Sequence, residues 1–381
     1  MKKMHILIAP NSFKNSLDAA LAARMIRKGL RMSKLDFTCE CFPIGDGGGG
    51  TGRLLTMKLG GSFEKVWVQN PAGKEIKATF GLTASKKTAI IEMAEASGIH
   101  LLNSMELNPL ITSSYGTGQL ITEALNRGVD KILITMGGSA TVDGGTGILR
   151  ALGVRFRDAA GGELPQSVDA LKDLNRIDLS EMDKRIKKCQ VIILCDVENK
   201  LLGKQGAANV FGPQKGATAV QVKKLNIALN RMAQVILKET MVDVSSMKHG
   251  GTAGGAAAGL HAILNAELVN GIEYFLNVTG FESSLKKSDL VITGEGSIDL
   301  QTLKGKGPFG IARRAKKRGL PVIALAGKVP LEQNISLEKY FDVLMAIENE
   351  PMTLPLSIQL SSQNLVRVSQ QIGNLLAFCD Y

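Results

Sequence analysis

The chain has 381 residues, 44% hydrophobic and 21% charged, enough length and apolar content for a large core and for two domains. Its formal charge of +11 comes from lysines and arginines spread along the chain, which reads first as a solvated basic surface and second as attraction for small anions, and aromatics make up only 4%, which counts against single-stranded nucleic acid. The five cysteines (Cys39, Cys41, Cys189, Cys195, Cys379) are odd in number and match no zinc spacing, so free, buried thiols in a reducing cytoplasm are expected.

The opening MKKMHILIAP has an apolar run of a strand's length, which predicts a buried strand and neither a signal peptide nor a membrane span. A helix follows, with Leu17, Leu21 and Met25 at helical spacing and Ser16 placed to cap its start. Between strand and helix lie Asn11, Ser12 and Lys14. FTCECFPI alternates like a second strand and delivers the glycine loop GDGGGGTG at 45–52; TAIIEMA, KILITMG, VIILCDV, DLVITGEG and PVIALAG read as further strands. Most are followed by small polar residues and then a helical pattern. This is an α/β fold with largely parallel sheets, and such folds bind ligands outside the carboxyl ends of their strands.

The loops at those ends share one chemistry. PNSFKNS, GDGGGGTG, SYGTG, GGSATVDGGTG, DVENKLLGKQGA, FGPQKGA, GGTAGGAAAG and GEGSIDLQTLKGKGP all combine glycine with hydroxyl, lysine or carboxylate, which suggests one composite site. Gly47, Gly49 and Gly52 satisfy G-x-G-x-x-G, but the acidic ribose partner is missing apart from Glu64, and this is not the first strand-to-helix turn, so a dinucleotide enzyme is disfavoured. There is no Walker A motif and no G-x-S-x-G, and His5, His100, His249 and His261 include no convincing base. Phosphate can still be held by glycine-loop N–H groups with lysines as point charges. In GGSATVDGG, Gly137 and Gly138 permit close approach, Ser139 and Thr141 offer hydroxyls, and Asp143 either holds Mg2+ or caps a turn. Asp46, Asp196 and Glu295 each lie just past a strand, open to chelation, base work or a capping role.

Taken in order, IAPNSFKNSL, GDGGGGT, IEMAEASGI, TSSYGTGQLI, GGSATVDGGTG, CDVENKLLGKQGA, VFGPQKGA, AGGAAAGL and LVITGEGSIDLQTLKGKGP resemble the bacterial glycerate kinase family, the class I glycerate 2-kinases, over nearly the whole chain. The resemblance implies two α/β domains, residues 1–66 with 285–381 and an inserted 67–284, with the active site in the cleft between them. It implies ATP-dependent phosphorylation of glycerate, with ATP, Mg2+ and glycerate as partners, no nucleic acid or membrane, and a homodimer left open.

Carried onto this sequence, the resemblance makes Lys14, Asp46 and Asp196 the catalytic candidates. It makes Ser12, Gly47, Gly48, Ser139, Thr141, Gln214, Lys215, Gly294, Gly296 and Asp299 the substrate or phosphate candidates, and Asp143 and Glu295 the metal candidates. Lys14 is expected towards the carboxylate and transferred group, Lys215 towards nucleotide phosphates, and Asp46 towards the reacting hydroxyl. The family usually has Asp, Glu, Asn and Arg where this chain has Asn11, Gly49, Val142 and Ser297. Two alternatives follow: a kinase for a different hydroxy acid, or a weakened relative that senses a hydroxy acid or nucleotide.

Overall fold

The computed structural model describes residues 3–332 and 334–379, the last without its side chain, so Cys379 lies outside the described side chains. Among these residues thirteen strands form: β1 (Met4–Ile8), β2 (Phe37–Cys41), β3 (Ser62–Gln69), β4 (Glu75–Leu82), β5 (Thr88–Glu92), β6 (Lys131–Thr135), β7 (Arg155–Arg157), β8 (Arg176–Asp178), β9 (Gln190–Cys195), β10 (Glu267–Asn270), β11 (Leu290–Ser297), β12 (Val322–Lys328) and β13 (Val343–Ala346). They belong to two units, one running through Asp46 and resuming at Ile272, the other spanning Gly47–Gly271. The sequence reading set the boundaries at 66/67 and 284/285. In the second unit the helix Thr51–Lys58 docks on the β4–β5 side, its first turn held by Glu92.

The first unit holds one parallel sheet in the order β13-β12-β11-β1-β2. Its inner strands β1, β11 and β12 are near-continuous apolar runs because helices cover both faces, and Ile6, Leu7, Ile8, Val291 and Ile292 are fully buried. The chain leaves β1 towards β2 but returns through β11 to β12 and β13 on the other side. The strand order therefore reverses between β1 and β11, where open α/β sheets take their ligands.

The second unit holds a six-stranded sheet, β10-β9-β6-β5-β4-β3, parallel from β10 to β5 and antiparallel through β4 and β3, with a separate β7–β8 ribbon. The hairpin β3–β4 escapes the sequence reading because SFEKVWVQ is an edge strand with no continuous apolar run. Trp67 is largely exposed there, shielded by Lys77 of the facing strand.

The first helix, Ala19–Arg31, corrects two expectations. Asp18, not Ser16, caps it, accepting from Leu21 N at 2.6 Å, while the Ser16 hydroxyl donates to Ile358 O. Its most buried face is Ala22, Ile26, Gly29 and Leu30, with Leu21 and Met25 only half-buried, because the helix lies against the long helix Leu354–Cys379. Small residues make that crossing: a Cβ on Gly29 would sit 2.3 Å from Val366 O and 2.6 Å from Ser369 Cβ. Gly29→Val is therefore expected to lower Tm, since overpacking costs about 1–3 kcal/mol and outweighs the modest gain in helix propensity. Thermal denaturation checks this, and an unchanged or raised Tm would mean that the crossing can give way.

The thiols of Cys39, Cys41, Cys189 and Cys195 are free, the first two only half-buried. Burial pushes Cys195 up to about 12, leaving its thiol inert. No helix among the described residues is long and apolar enough to cross a membrane.

Candidate functional site

In the first unit the site grows from the reversal between β1 and β11. After β1, Pro10 turns the chain, and Asn11 N donates to Gly294 O of β11 at 2.8 Å. The Asn11 side chain bridges two loops: Oδ1 accepts from Ser12 N, and Nδ2 donates to Asp46 Oδ2, both at 2.8 Å. Asp46 ends the chain that leaves β2 and is buried; the same oxygen accepts from Gly307 N at 3.3 Å, at the start of the helix Gly307–Lys316. An amide donor and the first N–H of a helix thus meet on one carboxylate oxygen of Asp46.

Glu295, on β11, is buried beside this pair. Its Oε1 accepts from Thr302 Oγ1 at 3.0 Å and lies 3.9 Å from Lys306 Nζ. Burial pushes its carboxyl up to about 7; Lys306 and Thr302 oppose this, while Asp46 and Asp299 add to it. Asp299 forms a turn, its Oδ1 accepting from Gln301 N at 2.7 Å. Gly294 and Gly296 are part of β11, the latter lying against the backbone of Lys14, whose side chain is exposed.

In the second unit the loops after β6 and β9 carry the chemistry. Lys215, at the end of the short turn Pro213–Lys215, is 4% exposed, and its Nζ donates to Ser139 Oγ at 2.8 Å and Thr141 O at 2.7 Å. Burial brings its ammonium down to about 7, with Asp143 and Asp196 pulling the other way. Asp143 is enclosed by donors: Gly145 N reaches Oδ1, while Ser114 N, Ser114 Oγ and Gly147 N reach Oδ2, at 2.7–3.2 Å. These contacts describe the turn-and-cap role, one of the two the sequence left open.

Gly47 and Gly48 belong to this second unit. Gly47 has φ 98°, and a Cβ there would stand 2.6 Å from Leu194 O, so only glycine lets this loop cross the end of β9. Gly47 O then accepts from Gly137 N at 3.1 Å. Gln214 is exposed, and Asp196 is half-buried at the end of β9.

Thus the structure gathers Asn11, Asp46, Gly294, Glu295 and Asp299 in one unit and Gly47, Gly48, Ser139, Thr141, Asp143, Asp196 and Lys215 in the other. Val142 is buried in the second unit's core, and a Cβ on Gly49 would meet nothing within 4 Å. Sequence reasoning passed over Thr302 and Lys306, the neighbours of Glu295, and Ser114, the partner of Asp143. It also passed over Glu92, which accepts from Gly50 N and Arg53 N and is pushed up by burial. Their hydroxyls and charges were visible, but pairing Ser114 with Asp143 and Glu92 with Gly50 needs contacts between separate loops, and pairing Thr302 and Lys306 with Glu295 needs the path of the chain after β11. No group of three or more His, Cys, Asp or Glu placed to hold a metal occurs among the described residues.

Two largely parallel sheets with polar loops at their strand ends, each holding a buried ionisable cluster, are the construction of an α/β enzyme. The profile of the Glycerate kinase family matches residues 6–377. The chain is 42% identical to a glycerate kinase of Halalkalibacterium halodurans, over 97% of each chain, and 40% identical to the glycerate 2-kinase of Escherichia coli K12, over 98% of each. A Salmonella typhimurium LT2 crystal structure, provisionally assigned as glycerate kinase 2, superposes with a TM-score of 0.82 at 40% identity, covering both chains fully. The chain belongs to the glycerate kinase family.

Proposed function

We propose that this enzyme transfers the γ-phosphoryl group of MgATP to D-glycerate in the cytoplasm, giving 2-phosphoglycerate for sugar-acid or glyoxylate catabolism. The observation that carries the reading is the full-length 40% identity to a protein named glycerate 2-kinase. Phosphoryl transfer needs in-line positioning and charge neutralisation more than covalent chemistry, and the two clusters suit that division.

Asp46, fixed in place by hydrogen bonds from Asn11 and Gly307, anchors the acceptor hydroxyl and takes its proton, with Asp196 the alternative. Lys14, exposed beside β11, reaches the glycerate carboxylate. Lys215 meets nucleotide phosphates.

Mg2+ supplies charge neutralisation on the phosphates and takes only one or two protein carboxylates. Glu295, whose hydrogen bond from Thr302 and ion pair with Lys306 both fall on Oε1, fits that demand. Asp143, with donors on both oxygens, fits poorly and instead shapes its loop.

The test is ADP release with MgATP and D-glycerate, beside L-glycerate, glycolate and tartronate, with product NMR to place the phosphate. Robust turnover on D-glycerate is expected, and Asp46→Asn should lower it about 100-fold or more. Ligand-dependent stabilisation without ADP would favour the sensor, since binding alone raises Tm. Full turnover in folded Asp46→Asn would remove Asp46 from the mechanism.

A further inference from the structure

Two buried threonine hydroxyls in the second unit have no use in the fold. Thr141 and Thr252 are 0% and 1% exposed, and neither Oγ1 has a hydrogen-bond partner. Nearly all buried polar groups in proteins find a partner, so an orphaned hydroxyl needs a reason. The Cys195 thiol interacts with the Thr252 side chain, but it does not meet hydrogen-bond geometry and sulfur is a weak partner, so the Thr252 hydroxyl keeps its capacity for an oxygen acceptor.

The orphans are not products of loose loops. The stretch around Thr141 is tied down by Ile99 N to Gly138 O, Ala140 N to Ser97 O and Thr112 Oγ1 to Ala140 O, at 2.8–3.1 Å. Thr252 lies in the loop that abuts it: Gly144 N donates to Gly254 O at 3.1 Å, and a Cβ on Gly254 would stand 2.2 Å from Thr141 O. Beside them is the Lys215 ammonium. It has three N–H donors, of which Ser139 Oγ and Thr141 O take two. Asp196 follows Cys195 directly and acts electrostatically on Lys215, so the end of β9 lies near both Thr252 and Lys215. A buried cation with a donor to spare, flanked by unpaired hydroxyls on rigid loops, matches the needs of a tetrahedral or planar oxyanion.

We infer that Thr141 and Thr252 donate their hydroxyls, together with the remaining N–H of Lys215, to an oxyanion of the bound substrates. The inference rests on the kinase reading for the source of that anion, either the nucleotide's phosphates or the glycerate carboxylate. Thr252 thereby joins the binding machinery although no motif singled it out.

The test uses the isosteric variants Thr141→Val and Thr252→Val, with Thr141→Ser and Thr252→Ser as hydroxyl-retaining controls. Dissociation constants for ADP, inorganic pyrophosphate and D-glycerate are measured by calorimetry on the full chain, and wild-type turnover on D-glycerate is measured alongside. Each valine variant should weaken its anion about 10-fold or more, as expected for a hydrogen bond to a charged group, while the serine variants bind as wild type. Ligand-free Tm should hold or rise, because an unpaired buried hydroxyl is lost. Weakening confined to ADP and pyrophosphate assigns the site to phosphate; weakening confined to glycerate assigns it to the carboxylate. Unchanged binding in both valine variants, or a wild type that binds none of the three probes, overturns the inference. If wild type fails to phosphorylate glycerate yet the valine variants lose pyrophosphate, the subsite stands and the kinase reading falls.

Discussion

Lys215→Met is expected to lower kcat/KM for glycerate phosphorylation by about 100- to 1,000-fold, the usual effect of removing one charge-stabilising donor from a water-poor site. Arginine should not rescue it. A planar guanidinium cannot place one compact cation between Ser139 Oγ and Thr141 O in a pocket where Lys215 is 4% exposed. The same residue carries a stability signature. Burial holds the folded-state ammonium near 7, against an ordinary 10.5, so across that window the unfolded chain binds more protons than the folded one. Stability then rises with pH through the window, and the cost of the buried charge is fully present only below it. Lys215→Met lacks this slope. Its Tm, compared with wild type in ligand-free protein, should therefore fall behind as pH goes from 7 to about 9.5. Equal slopes in both proteins would mean that the buried ammonium does not titrate in that range.

Glu295→Gln should have the second large effect, with the opposite pH sense. The wild-type carboxyl is held near 7 in the folded state, against an ordinary 4.5, chiefly by burial. Between those values the folded protein binds more protons than the unfolded one, so stability falls as pH rises through the window and stays low above it. Glutamine keeps an oxygen for Thr302 and carries no charge. The variant should melt above wild type at pH 8 and converge with it near pH 4.5. The gap is at most on the order of 3 kcal/mol, from about 1.4 kcal/mol per pKa unit. Turnover should nevertheless drop by about 100-fold, because the neutral amide is a poor magnesium ligand. A stabilised, fully active Glu295→Gln enzyme would remove Glu295 from catalysis, and a variant less stable than wild type at pH 8 would refute the buried-charge account.

The opposed signs have one physical origin. Both groups are buried inside protein, where the charged form loses hydration whatever its sign. Binding anionic phosphate near Lys215, or a cation near Glu295, restores what burial removed.

The sequence alone determined the α/β class, seven of the strands and the glycine- and hydroxyl-rich loops at their ends, because most buried parallel strands are continuous apolar runs, the second alternates, and punctuation by Gly and Asn is local. It also carried the family, through ordered motifs that span the chain. What the sequence did not carry depends on contacts between distant segments. The β3–β4 hairpin is a half-exposed edge whose polar residues hide its strand character. Asp18 rather than Ser16 caps the first helix, and that helix hides Gly29 and Ile26 more deeply than Leu21, because its partner lies more than 300 residues away in sequence. Asp143 and Asp46 looked alike as carboxylates in glycine loops. Only tertiary structure surrounds the first with four donors in the second unit and sets the second against an amide and a helix start in the first, since hydrogen-bond partners are chosen by packing and not by neighbours in the chain.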